Sequence, residues 1–99
     1  MPLDRVRVLL SAQRALLGAI GPALLGVYVE WGDDWLRVTA CADRVLDDDE
    51  REAIRVAASE MCADLPEVAR CEEVFIERGV EPLTGAGTCV FLRRTALPE

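Results

Sequence analysis

The chain has 99 residues, 52% of them hydrophobic and 29% charged, and a formal net charge of −7. A chain of this length is one domain, 1–99, able to bury a core without metal or disulfide, and its apolar share excludes disorder. The negative charge excludes nucleic acid and an anionic membrane as natural partners, because both reward a basic surface.

Asp4 to about Leu17 reads as a first helix. Val6, Leu9, Leu10, Gln13, Leu16, Leu17 and Ile20 follow a 3.6-residue stripe expected to face the core. Asp4 caps its start, Gly18 ends it, and Gly21-Pro22 closes the connection. Leu25 to Trp31 reads as a strand, Gly32-Asp33-Asp34 as a turn, and Trp35 to Cys41 as the return strand of a hairpin. Asp47 to Asp64 is a second helix, opened by an Asp47-x-x-Glu50 capping box and stopped at Leu65-Pro66. Its buried stripe is Ile54, Ala57, Ala58, Met61 and Leu65. Cys71 to Arg78 is a third strand, marked by Val74-Phe75-Ile76. Thr84-Gly85-Ala86-Gly87 is a loop, Thr88 to Arg94 a fourth strand, and Ala96 to Glu99 a frayed tail.

The order α-β-β-α-β-β gives each helix and each hairpin one face to bury. The expected fold is α+β, a two-layer sandwich with two helices on one face of a four-stranded, mostly antiparallel sheet. The preferred strand order is that of a permuted ferredoxin-like unit, with the last strand central. Alternation sends Leu25, Val27, Val29, Trp31, Leu36, Val38, Ala40, Val74, Ile76, Val90 and Leu92 toward the helices. It leaves Tyr28, Glu30, Trp35, Arg37, Thr39, Cys41, Glu73, Phe75, Glu77, Cys89, Phe91 and Arg93 on the open face. Aromatics mixed with arginine are the composition of an interface, so this face is a candidate partner or dimer surface. Cross-strand aromatic and charge pairs within a merely solvated face are the other reading.

Catalytic chemistry is hard to place on these residues. There is no histidine, so the serines Ser11 and Ser59 lack the usual base. Neighbouring carboxylates such as Asp33-Asp34 and Glu72-Glu73 do not converge on a cleft as acid–base pairs must. Asp47-Asp48-Asp49-Glu50 suits a helix start, where the dipole favours negative charge, and lacks the glycine of a calcium loop. Gly85-Ala86-Gly87-Thr88 precedes a strand and no lysine follows, unlike a phosphate loop. Cys41, Cys62, Cys71 and Cys89 show no C-x-x-C spacing and are expected to be free thiols. Cys71 beside Arg70 is the best-placed nucleophile among them. No cofactor or metal is expected. The basic side chains are all arginine, a texture of GC-rich bacterial coding. The charged start predicts no export signal, and no apolar run is long enough to span a membrane, so a cytoplasmic location is expected.

Charge is uneven along the chain. Residues 30–81 hold sixteen acidic and six basic side chains, a net charge of −10. This region fits docking to a basic protein partner. The expected contact residues are Asp33, Asp34, Trp35, Arg37, Asp48, Glu73, Phe75 and Tyr28.

Gln13-Arg14-Ala15-Leu16-Leu17-Gly18 with Pro22, the strand Val27-Tyr28-Val29-Glu30, the acid-capped helix ending Ala63-Asp64-Leu65-Pro66, and the closing Val90-Phe91-Leu92-Arg93-Arg94 resemble a family of small bacterial proteins. That family includes immunity proteins of the contact-dependent growth inhibition type. The four cysteines and the Asp47-Asp48-Asp49 run depart from its pattern. The resemblance implies a non-enzymatic antidote that binds and neutralises a toxin domain, commonly a nuclease. A small homodimeric module joined through the aromatic face is the alternative.

Overall fold

The local signals for helix ends act where the sequence puts them. The Asp4 carboxylate accepts from the Val6 N–H at 2.9 Å and starts α1, Arg5–Ala15. Gly18, at φ +81°, provides the left-handed turn that leads the chain out of it. Asp47 and Glu50 close a reciprocal capping box, 2.8 and 3.0 Å, at the start of α2, Asp48–Asp64. The computed structural model describes residues 3–77 and 87–93. Within it β1 is Leu24–Trp31, β2 Trp35–Ala42, β3 Arg70–Ile76 and β4 Thr88–Leu92. Arg78, Thr84-Gly85-Ala86, Arg94 and the tail Ala96 to Glu99, assigned above to strand ends, loop and tail, lie outside the described residues.

The strands form one mixed sheet in the order β3-β2-β1-β4. β1 pairs antiparallel with β2 and with β4, and β2 pairs parallel with β3. The α+β sandwich is as expected; the strand order is not. β4 lies at an edge rather than in the centre, and β3 and β4 lie at opposite edges, so they form no hairpin. The reason is α2. A parallel neighbour needs a long crossover, and the α2 segment supplies one, placing β3 directly on β2 along seven residues. No gap remains between them, and β4 takes the free edge of β1.

The core lies between the helices and one face of this sheet. Val27 and Val29 of β1, Leu36, Val38 and Ala40 of β2, and Ile54, Ala57, Ala58, Met61 and Leu65 of the α2 segment are all buried in it. Each large aliphatic side chain removed from water here contributes about 1.5–3 kcal/mol. Three assignments from alternation are overturned. A bulge between Leu24 and Gly26 turns Leu25 away from the helices, where it packs with Tyr28 and Cys41 in a second small cluster. The register on β2 pairs Leu36 with Cys71, Val38 with Glu73 and Ala40 with Phe75, which inverts β3. Glu73 and Phe75 therefore lie on the helix side and Val74 and Ile76 on the other. A second irregularity, between Val27 and Tyr28, pairs Phe91 with Val27, and Phe91 packs against the main core.

α1 is rotated from the expected orientation as well. The side chains it buries are Val8, Ser11, Ala12 and Ala15, followed by Leu16. Of the expected stripe, Leu9, Leu16 and Ile20 reach the core, whereas Val6, Leu10, Gln13 and Leu17 are exposed. Polar contacts fix the helix in this rotation. Ser11 Oγ and Arg14 both donate to the Asp64 carboxylate at the end of α2, each at 2.9 Å. Arg7 holds Glu67 through two hydrogen bonds, and this keeps the Glu67 carboxyl at about 2, below the usual carboxylate range.

The capping box joins two otherwise unpartnered backbone donors to side chains. Asp47→Ala is expected to cost about 1 kcal/mol and to lower the melting temperature by roughly 4–8 °C. A thermal melt of the variant beside the parent chain measures this; an unchanged midpoint would mean that the helix is held without its cap.

Candidate partner-binding surface

The eight residues expected to meet a partner do not form one surface. Asp33 and Asp34 are exposed in the hairpin turn, with Trp35 and Arg37 half-buried beside them. Asp48 stands on the first turn of α2, past the far end of β2, about 25 Å away for eight extended residues. Glu73 and Phe75 lie on the helix side of β3. Phe75 is covered there by two α2 guanidiniums, Arg51 at 5.6 Å and Arg55 at 5.7 Å from its ring centroid. Tyr28, only 3% exposed, is buried with Leu25 and Cys41. The middle of the face expected to be open is thus a second small core.

What remains on that face is a charge ladder at its hairpin end. Arg37 bonds Glu30 of β1 at 3.1 Å and Glu72 of β3, so one guanidinium ties three neighbouring strands. The Trp35 ring lies 5.4 Å from the same guanidinium. Its indole also covers Gly32 so closely that a Cβ there would overlap it, which is why the turn needs glycine. The Asp34 carbonyl accepts from the Ala69 and Arg70 N–H groups, 2.6 and 3.1 Å, and fixes the start of β3 beside the turn. Together Trp35, Leu36, Arg37 and residues 69–72 line an open groove of about 570 Å³. Within it Arg37, Glu72 and the Trp35 indole are engaged with one another, an arrangement suited to contact rather than to proton transfer.

The thiols follow the same pattern. Cys71 faces α2, not the open face, and its Sγ donates to the Ala58 carbonyl at 3.8 Å. Burial above all, and then its hydrogen bond with the Cys62 thiol, push the Cys71 pKa up to about 12. Cys41 is raised by burial too. These are the opposite of an activated nucleophile, which requires a depressed pKa. Among the described residues no group of three or more cysteine or acidic side chains could hold a metal ion, and no helix is long and apolar enough to cross a membrane.

The exposed apolar surface of the molecule is not among the residues expected from the sequence to meet a partner. Val6, Leu10 and Leu17 belong to the 3.6-residue stripe expected to face the core, yet they are exposed large hydrophobics, as is Val56 of α2. A signal was present: Val8, Ala12 and Ala15, at spacings of four and three, form a second apolar line on the opposite side of the same helix.

None of the four cysteines is joined in a disulfide; Cys89 is exposed, Cys62 and Cys71 are half-buried and Cys41 is buried. Titration with an aromatic disulfide reagent at mildly alkaline pH is expected to show one fast thiol, Cys89, and four in denaturant. Rapid reaction of Cys71 in the native protein would contradict its burial against α2.

No curated protein matches the chain. The family model of the MafI2 immunity proteins matches residues 5–95, nearly the whole length and every element from α1 to β4, and on that match the chain belongs to the MafI2 immunity protein family.

Proposed function

We propose that this protein is a non-enzymatic cytoplasmic antidote that binds a cognate toxin domain and blocks it by occlusion, and that the toxin domain is basic, as a nuclease's substrate-binding surface is. The observation that carries the reading is membership of the immunity family over residues 5–95. The charge supports the basic partner. Residues 30–81 carry a net charge of −10, and Asp33, Asp34 and Asp48 are exposed and form no side-chain ion pair among the described residues. Such charges act at a distance. They raise the encounter rate with a cationic partner without having to lie in the final contact.

A homodimer joined through the aromatic sheet face fits the structure less well. Tyr28 is buried inside the molecule, and Phe75 and Phe91 lie on the helix side.

Reversal of Asp33, Asp34 and Asp48 to lysine removes most of the net charge without touching the core. Association with the purified toxin domain, followed by surface plasmon resonance, is expected to slow about tenfold at low ionic strength, with a flatter salt dependence and little change in dissociation. Equal association rates for the parent and the variant at low salt would eliminate the electrostatic part of the reading.

A further inference from the structure

α1 has two apolar faces, and the fold uses only one. Val6, Leu10 and Leu17, on the side opposite Val8, Ala12 and Ala15, are 61%, 56% and 80% exposed. Leu10 and Leu17 border an open depression together with Gln13 and Arg14. A second groove lies between the end of α1 and α2. Ala15, Ala53 and Ala57 contribute to its lining, Leu17 and Val56 stand at its mouth, and the carboxylates it contains are Asp49, Glu52 and Glu60. Leu17 belongs to both depressions, so they form one continuous surface. Exposed aliphatic side chains on a soluble domain are ordinarily scattered; a contiguous set rimmed by polar groups marks a place where another molecule sits.

Charge identifies the occupant. The α1–α2 groove is lined by three carboxylates and by no basic side chain. Asp49 and Glu60 have no arginine partner among the described residues. Glu52 has only Arg55, at 3.9 Å, and that arginine also stands over Phe75. A second copy of the chain would not supply the missing cations from α1. Its Arg7 is held by Glu67, its Arg14 by Asp64, and its Arg5 donates to the Thr88 hydroxyl.

We infer that this surface, Leu10, Leu17 and Val56 flanked by Asp49, Glu52 and Glu60, is where the toxin domain docks, through a segment that sets arginine or lysine beside aliphatic or aromatic side chains. The inference rests on the immunity reading above and names the contact that reading leaves open. The aliphatic centre holds the complex once formed, and the carboxylates fix its register. Every side chain needed is already in place, so docking requires no rearrangement of the helices.

The test uses the full chain and, as probe, its cognate toxin domain, purified with an inactivating substitution. A Leu10→Ser, Leu17→Ser variant and an Asp49→Asn, Glu60→Gln variant are compared with the parent chain and with Val45→Ser, an exposed aliphatic outside this surface. Thermal melts confirm folding. The leucine variant is expected to dissociate at least about tenfold faster, and Val45→Ser to match the parent. Unchanged dissociation in both surface variants, with the parent binding normally, overturns the surface and leaves the immunity reading standing. Failure of the parent to bind overturns both. A parent dimer that the leucine variant converts to monomer assigns the surface to a second copy and overturns the inference as well.

Discussion

The rotation of α1 about its own axis decides what the outside of this molecule looks like. The helix puts its smaller side chains, Val8, Ser11, Ala12 and Ala15, into the core. Small residues let a helix approach its neighbours closely, at the near end of the usual 8–10 Å between packed axes. The Asp64 carboxylate, taking hydrogen bonds from Ser11 and Arg14, locks this orientation from the end of α2. Once that face is committed, Val6, Leu10 and Leu17 have nowhere to go but outward. Turning the helix over to bury them would force larger side chains into a space filled by alanine and would strip Ser11 and Arg14 of their partner. The exposed stripe is therefore a consequence of the packing, and it is the feature on which the docking surface depends.

The sheet imposes the second constraint. With β3 held parallel to β2 by the α2 crossover, the register fixes which of its side chains meet the helices. Phe75 goes beneath Arg51 and Arg55, and Glu72 goes to Arg37 on the other side. The face away from the helices is then filled at its centre by Leu25, Tyr28 and Cys41 and tied at one end by the Glu30–Arg37–Glu72 ladder. This leaves the helix layer as the side with exposed aliphatic groups and carboxylates in one place. Opposite charge on a partner would speed encounter, while the buried aliphatic contact would set how long the complex lasts.

Features decided by a few neighbouring residues were legible in the sequence. Asp4, the Asp47–Glu50 pair and Gly18 mark helix ends through hydrogen bonds or backbone angles that span no more than a turn, and each acts as read. The α2 stripe was legible because its other face is charged. What failed was decided at long range. The run Val74-Phe75-Ile76 is apolar at every position, so alternation could not choose a phase, and only pairing with β2 does so. Leu25 is displaced by a bulge, which Gly26 could have signalled, since an isolated strand glycine often marks one. α1 is apolar on two sides, each with helical spacing, so periodicity alone does not choose between them, and close packing favours the side with the small residues. The same register and burial place Tyr28 in the second cluster and Glu73 and Phe75 on the helix side, away from any common surface.

Carboxylate labelling of the complex asks directly which side of the molecule the toxin covers. Carbodiimide coupling of a small amine, read residue by residue by mass spectrometry in the free protein and in the complex, reports each acid separately. Protection of Asp49, Glu52 and Glu60, with Asp33 and Asp34 still labelled, is the expected result. Protection of Asp33, Asp34 and Glu72, with the α2 carboxylates labelled as fully as in the free protein, would place the toxin on the sheet side and contradict the account.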